Sequence, residues 1–153
     1  HGMGSFSWPV AEACAAQDFW PDTISTDIHS LNIDGPVYDM PTVMSRLWHV
    51  GMPLLEVIKA STLKPAQAIG QADQIGSLQL GREADVTVLG IDTSPIDLED
   101  CHAQLRPLRQ RLVARAVWRA GQTAPITTPG KLPNPETYQA AVDWRSKLIV
   151  SDS

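Results

Sequence analysis

The pattern of apolar residues changes near Gly70, and this change limits the chain to a fold that combines helices with strands. Before Gly70, apolar residues recur every three or four positions, which is the spacing of an amphipathic helix. After Gly70, they come in short runs or alternate with polar residues, which favours strands. The sequence therefore predicts an α/β protein.

Four prolines stand where helices are predicted to begin. They are Pro9, Pro41, Pro53 and Pro65. Proline suits the first turn of a helix, because the amide N–H that it lacks has no helical partner there. Gly51 is predicted to end the second helix, and Gly70 the fourth. A further helix is predicted over residues 135–149, near the end of a proline-rich tail.

Strands are predicted between the first two helices and again after Gly70. Residues 22–28 are rich in β-branched side chains and are short enough to form a buried strand that ends in a carboxylate. Residues 30–40 look like a loop that would hang over the end of that strand. Later, residues 84–89 form a short piece with the texture of a strand, and residues 111–119 alternate like a half-exposed strand. The pieces over 75–83 suit strands and turns of a small β-domain.

Two polar residues close the first predicted strand. Asp27 stands at its carboxyl end, where ligands gather in sheets and barrels, so its carboxylate is placed to bind a metal or to move a proton. His29 would point to the same side as Asp27 if the strand continued, and it is a candidate for substrate binding. The alternatives are a capping role for Asp27 and a backbone-bonded loop position for His29.

The chain opens with a histidine and two glycines, which let the backbone turn tightly and approach a ligand closely. His1 is therefore a further candidate for chemistry. The alternative is a terminal histidine in an ordinary turn.

The charge pattern excludes some classes of partner. The net charge is −5, and acidic and basic residues are interleaved, so the sequence has no patch for nucleic acid or an anionic membrane. No apolar run approaches the roughly 20 residues that span a bilayer. We therefore expect a small-molecule partner and a cytoplasmic location, and leave homo-oligomerisation open. Cys14 and Cys101 are too isolated to form a zinc knuckle or a redox motif.

Two blocks of sequence resemble the end of the catalytic domain in the amidohydrolase superfamily. They are residues 62–70, with Thr62, Pro65-Ala66 and Gly70, and residues 76–86, with Gly76, Gly81 and Ala84-Asp85. In that family the first block closes a (β/α)8 barrel and the second enters a small β-sandwich. The opening His-Gly-Met-Gly-Ser-Phe and residues 22–29 resemble its dihydroorotase-like branch of amidohydrolase and deacetylase metallohydrolases. The resemblance runs from residue 1 to about residue 121.

The resemblance implies an α/β fold made of the C-terminal part of a (β/α)8 barrel and part of a β-sandwich. The expected portions are residues 1–71 for the barrel, 72–122 for the β-sandwich and 123–153 for the proline-rich tail. The chain lacks an initiator methionine, and we expect a C-terminal fragment that is inactive when expressed alone.

The resemblance also implies a metal site. His1 corresponds to the metal-binding histidine after the sixth barrel strand, and Asp27 to the metal-binding and catalytic aspartate after the eighth. Ser5, beside His1, is a candidate for substrate binding. The family's other ligands, a His-x-His pair, a carboxylated lysine and a further histidine, would lie upstream of this chain. The expected cofactor is a divalent metal, by default zinc, and binuclear in the full-length enzyme.

The implied reaction is hydrolysis of an amide, cyclic amide or ester by a metal-activated hydroxide. Asp27 would accept the proton of the attacking water and pass it to the leaving group. The alternative function is a non-catalytic homologue or assembly module that keeps only the barrel-closing and β-sandwich parts.

Overall fold

A computed structural model describes residues 6–30, 32–127 and 132–133. The helices are α1 (Trp8–Ala15), α2 (Met40–His49), α3 (Leu54–Ser61) and α4 (Leu63–Ala68). The strands are β1 (Val86–Asp92), β2 (Ile96–Glu99), β3 (Leu105–Leu108), β4 (Arg111–Arg119) and β5 (Gln122–Thr123). The expectation of a mixed α/β fold is therefore confirmed. Within these residues, none of the helices has both the length and the apolar character that crossing a bilayer requires.

Helix α2 begins and ends as its sequence predicts. The Asp39 carboxylate accepts a hydrogen bond from the Thr42 amide at 2.7 Å, which caps the first turn, and Pro41 lies within that turn. Gly51 follows the helix with a φ of +112°, a conformation that favours glycine. These local signals agree with the observed bounds of the helix.

The strands form two antiparallel sheets. One sheet has the order β1-β4-β5, and the other is the β2-β3 hairpin. In the larger sheet Val86 lies opposite Trp118 and Asp92 lies opposite Arg111. Strand β4 has the bounds predicted from its alternation, whereas the hairpin was not predicted. No barrel is present in the described part of the chain.

The strand predicted over residues 22–28 is wrong. The structure has an extended segment there, and it pairs with none of the described strands. Ile24 is buried, and its N–H donates to the Ala60 carbonyl near the end of α3 at 2.8 Å. A strand needs the edge of another strand as its hydrogen-bonding partner, and here that neighbour is a helix. Residues 75–83 form turns and bends instead of strands, and the helix predicted over 135–149 lies outside the described residues.

Two apolar clusters hold these elements together. In the first, Val43 of α2 and Val57 of α3 pack in one cluster with Leu112 of β4. In the second, Trp8 of α1 packs with Leu98 of the β2-β3 hairpin. The Trp8 indole N–H also donates to the Leu98 carbonyl at 3.1 Å. This buried ring therefore joins α1 to the hairpin by both packing and a hydrogen bond.

Candidate functional site

The two polar residues that the sequence singles out lie on the loop between the extended segment and α2. We call residues 27–30 and 32–38 the Asp27 loop. The side chains of Asp27 and His29 are both exposed. Asp27 has a φ of +50°, in the left-handed region that costs a non-glycine residue about 1 kcal/mol. The extended segment therefore turns sharply at Asp27, and the carboxylate lies on the solvent side of that turn.

A buried asparagine lies beneath these exposed residues. Asn32 is fully buried. Its Oδ1 accepts the His29 amide N–H at 2.7 Å, and its Nδ2 donates to the Asp27 carbonyl at 2.8 Å. Its own N–H donates to the His29 carbonyl at 3.0 Å. The backbones of both candidate residues are thus bonded to one side chain that solvent does not reach.

The remainder of the loop folds back over Asn32. The Asn32 carbonyl accepts N–H groups from Gly35 at 3.2 Å and from Val37 at 3.1 Å. Pro36, Val37 and Tyr38 are all buried, so this half of the loop belongs to the core. The loop therefore has an exposed half that carries Asp27 and a buried half that anchors it.

A buried arginine on α2 ties this anchor to the β2-β3 hairpin. The Arg46 Nη2 donates to the Pro36 carbonyl in the loop and, at 3.0 Å, to the Glu99 carbonyl at the end of β2. The Tyr38 hydroxyl donates to the Glu99 carboxylate. Burial lowers the pKa of Arg46 to about 10, against the opposing effect of the Glu99 charge, so Arg46 is still protonated at neutral pH. Hydrogen bonds from Arg46 and Tyr38 consequently join the loop, α2 and the hairpin.

The described residues do not form a complete metal site. They contain no group of three or more His, Cys, Asp or Glu side chains that could hold a metal ion. Asp27 offers a carboxylate of the type that zinc binds, but a catalytic zinc usually has about three protein ligands. His1 and Ser5 lie outside the described residues. The metal site that the resemblance implies, with His1 and Asp27 as ligands, stays a prediction.

A shallow pocket lies elsewhere, at the end of α2. It has a volume of about 410 Å³ and is lined by Trp48, His49, Pro107, Arg109 and Gln110. Burial lowers the pKa of His49, whose ring meets Trp8 edge-on with the centroids 5.7 Å apart. Neither Asp27 nor His29 lines this pocket, so it is separate from the loop.

Asn32 and Arg46 are the polar residues of this region that sequence reasoning missed. Asn32 lies in the loop predicted over residues 30–40, and nothing in a single sequence distinguishes a buried asparagine there from an exposed one. Arg46 stands on a helix whose charged residues are expected to face solvent. Both become recognisable only when the loop and the hairpin are seen packed on α2.

Comparisons with known proteins identify the family. The profile of the amidohydrolase family matches residues 20–125. A deacetylase from Agrobacterium fabrum is 37% identical over 110 residues, and a deacetylase from Brucella anthropi is 36% identical over 110. Each of these alignments covers 72% of this chain and 27% of the relative, so the chain spans about a quarter of their length.

Solved structures agree with this grouping. An adenine deaminase matches with a TM-score of 0.78 at 32% identity, covering 82% of this chain and 34% of that one. A dihydroorotase matches with a TM-score of 0.76 at 32% identity, covering 88% of this chain and 35% of that one. The family match over residues 20–125 includes the Asp27 loop, both sheets and three of the four helices. The chain belongs to the amidohydrolase family.

Proposed function

We propose that this chain serves a metal-dependent hydrolase that cleaves an amide, cyclic amide or ester bond, with removal of an acetyl group as the first candidate reaction. The observation that carries the proposal is the Asp27 loop, in which an exposed carboxylate stands on a turn held by a buried side chain. Relatives named deacetylases support the acetyl substrate. The similarity to a dihydroorotase supports the wider choice of cyclic amides.

The proposed fold follows from the same relatives. Residues 1–71 would complete a (β/α)8 barrel supplied by other parts of the enzyme, and residues 72–122 would contribute to a β-sandwich. The antiparallel sheets that begin at Val86 support the second assignment. At the carboxyl ends of barrel strands, Asp27 would face the bound substrate.

The chemistry assigned to this chain is proton transfer. A bound divalent metal, with zinc as our choice, would supply hydroxide near neutral pH. Asp27 would accept a proton from the attacking water and deliver it to the leaving nitrogen or oxygen. His29, on the same exposed turn, would contact the substrate, as would Ser5. Asn32 would keep the turn in place beneath them.

The test compares two carboxylates of one loop in the full-length gene product. Asp27→Asn removes the proton acceptor with little change in volume, and Asp34→Asn removes the same charge from another exposed position. We expect the first to lower kcat by about 10²–10⁴-fold on simple N-acetyl or O-acetyl compounds, whereas the second leaves it unchanged. Chelation should abolish the wild-type activity.

Several results would contradict the proposal. Near-normal turnover by Asp27→Asn would remove the assigned proton acceptor. Activity that survives complete chelation would remove the metal. A full-length product that hydrolyses no amide, cyclic amide or ester would favour a non-catalytic homologue or assembly module.

A further inference from the structure

We propose that Asn32 is a positioning residue for hydrolysis, one that sets the direction of Asp27 and His29 without touching the substrate itself. This inference rests on the proposed function, because it assigns Asn32 a role through those two side chains. It starts from the hydrogen bonds that converge on Asn32 beneath the exposed half of the loop.

The bonding pattern suits a side-chain amide at this position. The loop needs an acceptor for the His29 N–H and, from the same side chain, a donor for the Asp27 carbonyl. A carboxamide offers both groups on one carbon, in one plane and without a charge. Asparagine also has the shorter of the two carboxamide side chains, and so loses less rotamer freedom than glutamine when it is buried.

The backbone at Asp27 gives an independent reason to connect this anchor with function. Asp27 holds a left-handed φ of +50°, a conformation that aspartate adopts more readily than most residues with a side chain but still at some cost in free energy. The two Asn32 bonds attach on either side of Ile28, to the Asp27 carbonyl and the His29 amide, and so hold the peptide units that follow the unfavourable φ. Local strain that the surrounding structure maintains clusters at active sites and ligand clamps.

Burial of the anchor and exposure of the site complete the argument. Asn32 is fully buried, whereas Asp27 and His29 are exposed. The two side-chain bonds of Asn32 reach main-chain atoms of Asp27 and His29. The arrangement orients two side chains and leaves them facing solvent, where a substrate can approach.

The experiment separates positioning from simple stability in the full-length gene product. Asn32→Leu removes the hydrogen bonds while roughly filling the volume, and Asn32→Ala removes both the bonds and the volume. The matched control is Ser45→Ala, because buried Ser45 also makes two bonds, donating to the Pro41 carbonyl at 2.6 Å and accepting from the Leu112 amide at 2.8 Å. Ser45 lies on α2, outside the Asp27 loop.

We expect both Asn32 variants to lower kcat by about 10- to 100-fold with less than about threefold change in KM, as is typical when the support of a catalytic group is lost. Ser45→Ala, although it also lowers the melting temperature, should keep kcat within about twofold. Hydrogen exchange should become faster at the His29 amide in the Asn32 variants, and not in Ser45→Ala. This last measurement does not depend on activity.

The outcomes distinguish this inference from the proposed function. If Asp27→Asn abolishes hydrolysis but the Asn32 variants keep the wild-type kcat, only the positioning role is overturned. If Ser45→Ala lowers kcat as much as the Asn32 variants at the same loss of melting temperature, the effect is one of stability and the inference is overturned as well. If the wild-type product hydrolyses nothing, the proposed function fails first.

Discussion

The Asp27 loop and the β1-β4 strand pair are held in opposite ways. In the strand pair, hydrogen bonds are spread along seven residues of β1 and their partners on β4. In the loop, they converge on a few buried polar groups, chiefly Asn32 and Arg46. A single side-chain change should therefore disturb the loop far more than the sheet.

The difference shows which part of this chain depends on particular polar side chains. Sheet bonds are made by the main chain, and any residue other than proline supplies them. The loop depends on particular side chains, because its main chain has no regular partner. A loop that must hold an exposed carboxylate in one direction gains rigidity from such buried groups, and becomes sensitive to their loss.

The largest difference should come from two arginines. Arg46→Leu removes the guanidinium that bonds the Pro36 and Glu99 carbonyls, and with it a positive charge that acts on the buried Glu99 side chain. We expect a loss of about 3–5 kcal/mol in the free energy of unfolding, because two buried carbonyls lose their charged donor. Arg115→Leu, at an exposed position of β4, should change it by less than about 0.5 kcal/mol.

Urea denaturation with an unchanged slope measures both free energies. Equal losses for the two substitutions would mean that the loop and the sheet do not differ as described.

A smaller difference should separate two glycines. At Gly35, φ is +138°, and an added Cβ would lie 2.9 Å from the Tyr38 hydroxyl and 3.1 Å from Glu99 Oε1. At Gly81, φ is +87°, but no described atom lies within 4 Å of an added Cβ. Gly35→Ala should therefore cost about 2–3 kcal/mol, and Gly81→Ala about 1 kcal/mol from backbone strain alone. Melting temperatures that fall by the same amount in both would show that the contacts around Gly35 yield easily.

The sheet was easier to predict from the sequence than the loop. Alternation along residues 111–119 reports a local property, the two faces of one strand, and β4 occupies that range. The β2-β3 hairpin was missed because its strands are only four residues long and β3 contains Pro107. The strand expected over 22–28 failed for a different reason, since β-branched residues favour extended backbone whether or not a partner strand is present.

Sequence reasoning identified the exposed residues of the candidate site but not the buried one beneath them. Asp27 and His29 are singled out by their place at the end of a predicted strand, which the structure does not form, and the resemblance to the family gives Asp27 its expected role. Asn32 was not found, because its role depends on burial beneath residues three and five positions earlier. Side chains that could carry chemistry are easier to recognise in a sequence than the side chains that hold them in place.

The central claim, that Asn32 acts through Asp27, is tested most directly by a double-mutant cycle on kcat/KM. The four full-length proteins are the wild type, Asp27→Asn, Asn32→Ala and the double variant. We predict that Asn32→Ala lowers kcat/KM by about 10- to 100-fold in the wild type but by less than about threefold once Asp27 is already asparagine. The same fold-change in both backgrounds would show that the two residues act independently, and would contradict the account.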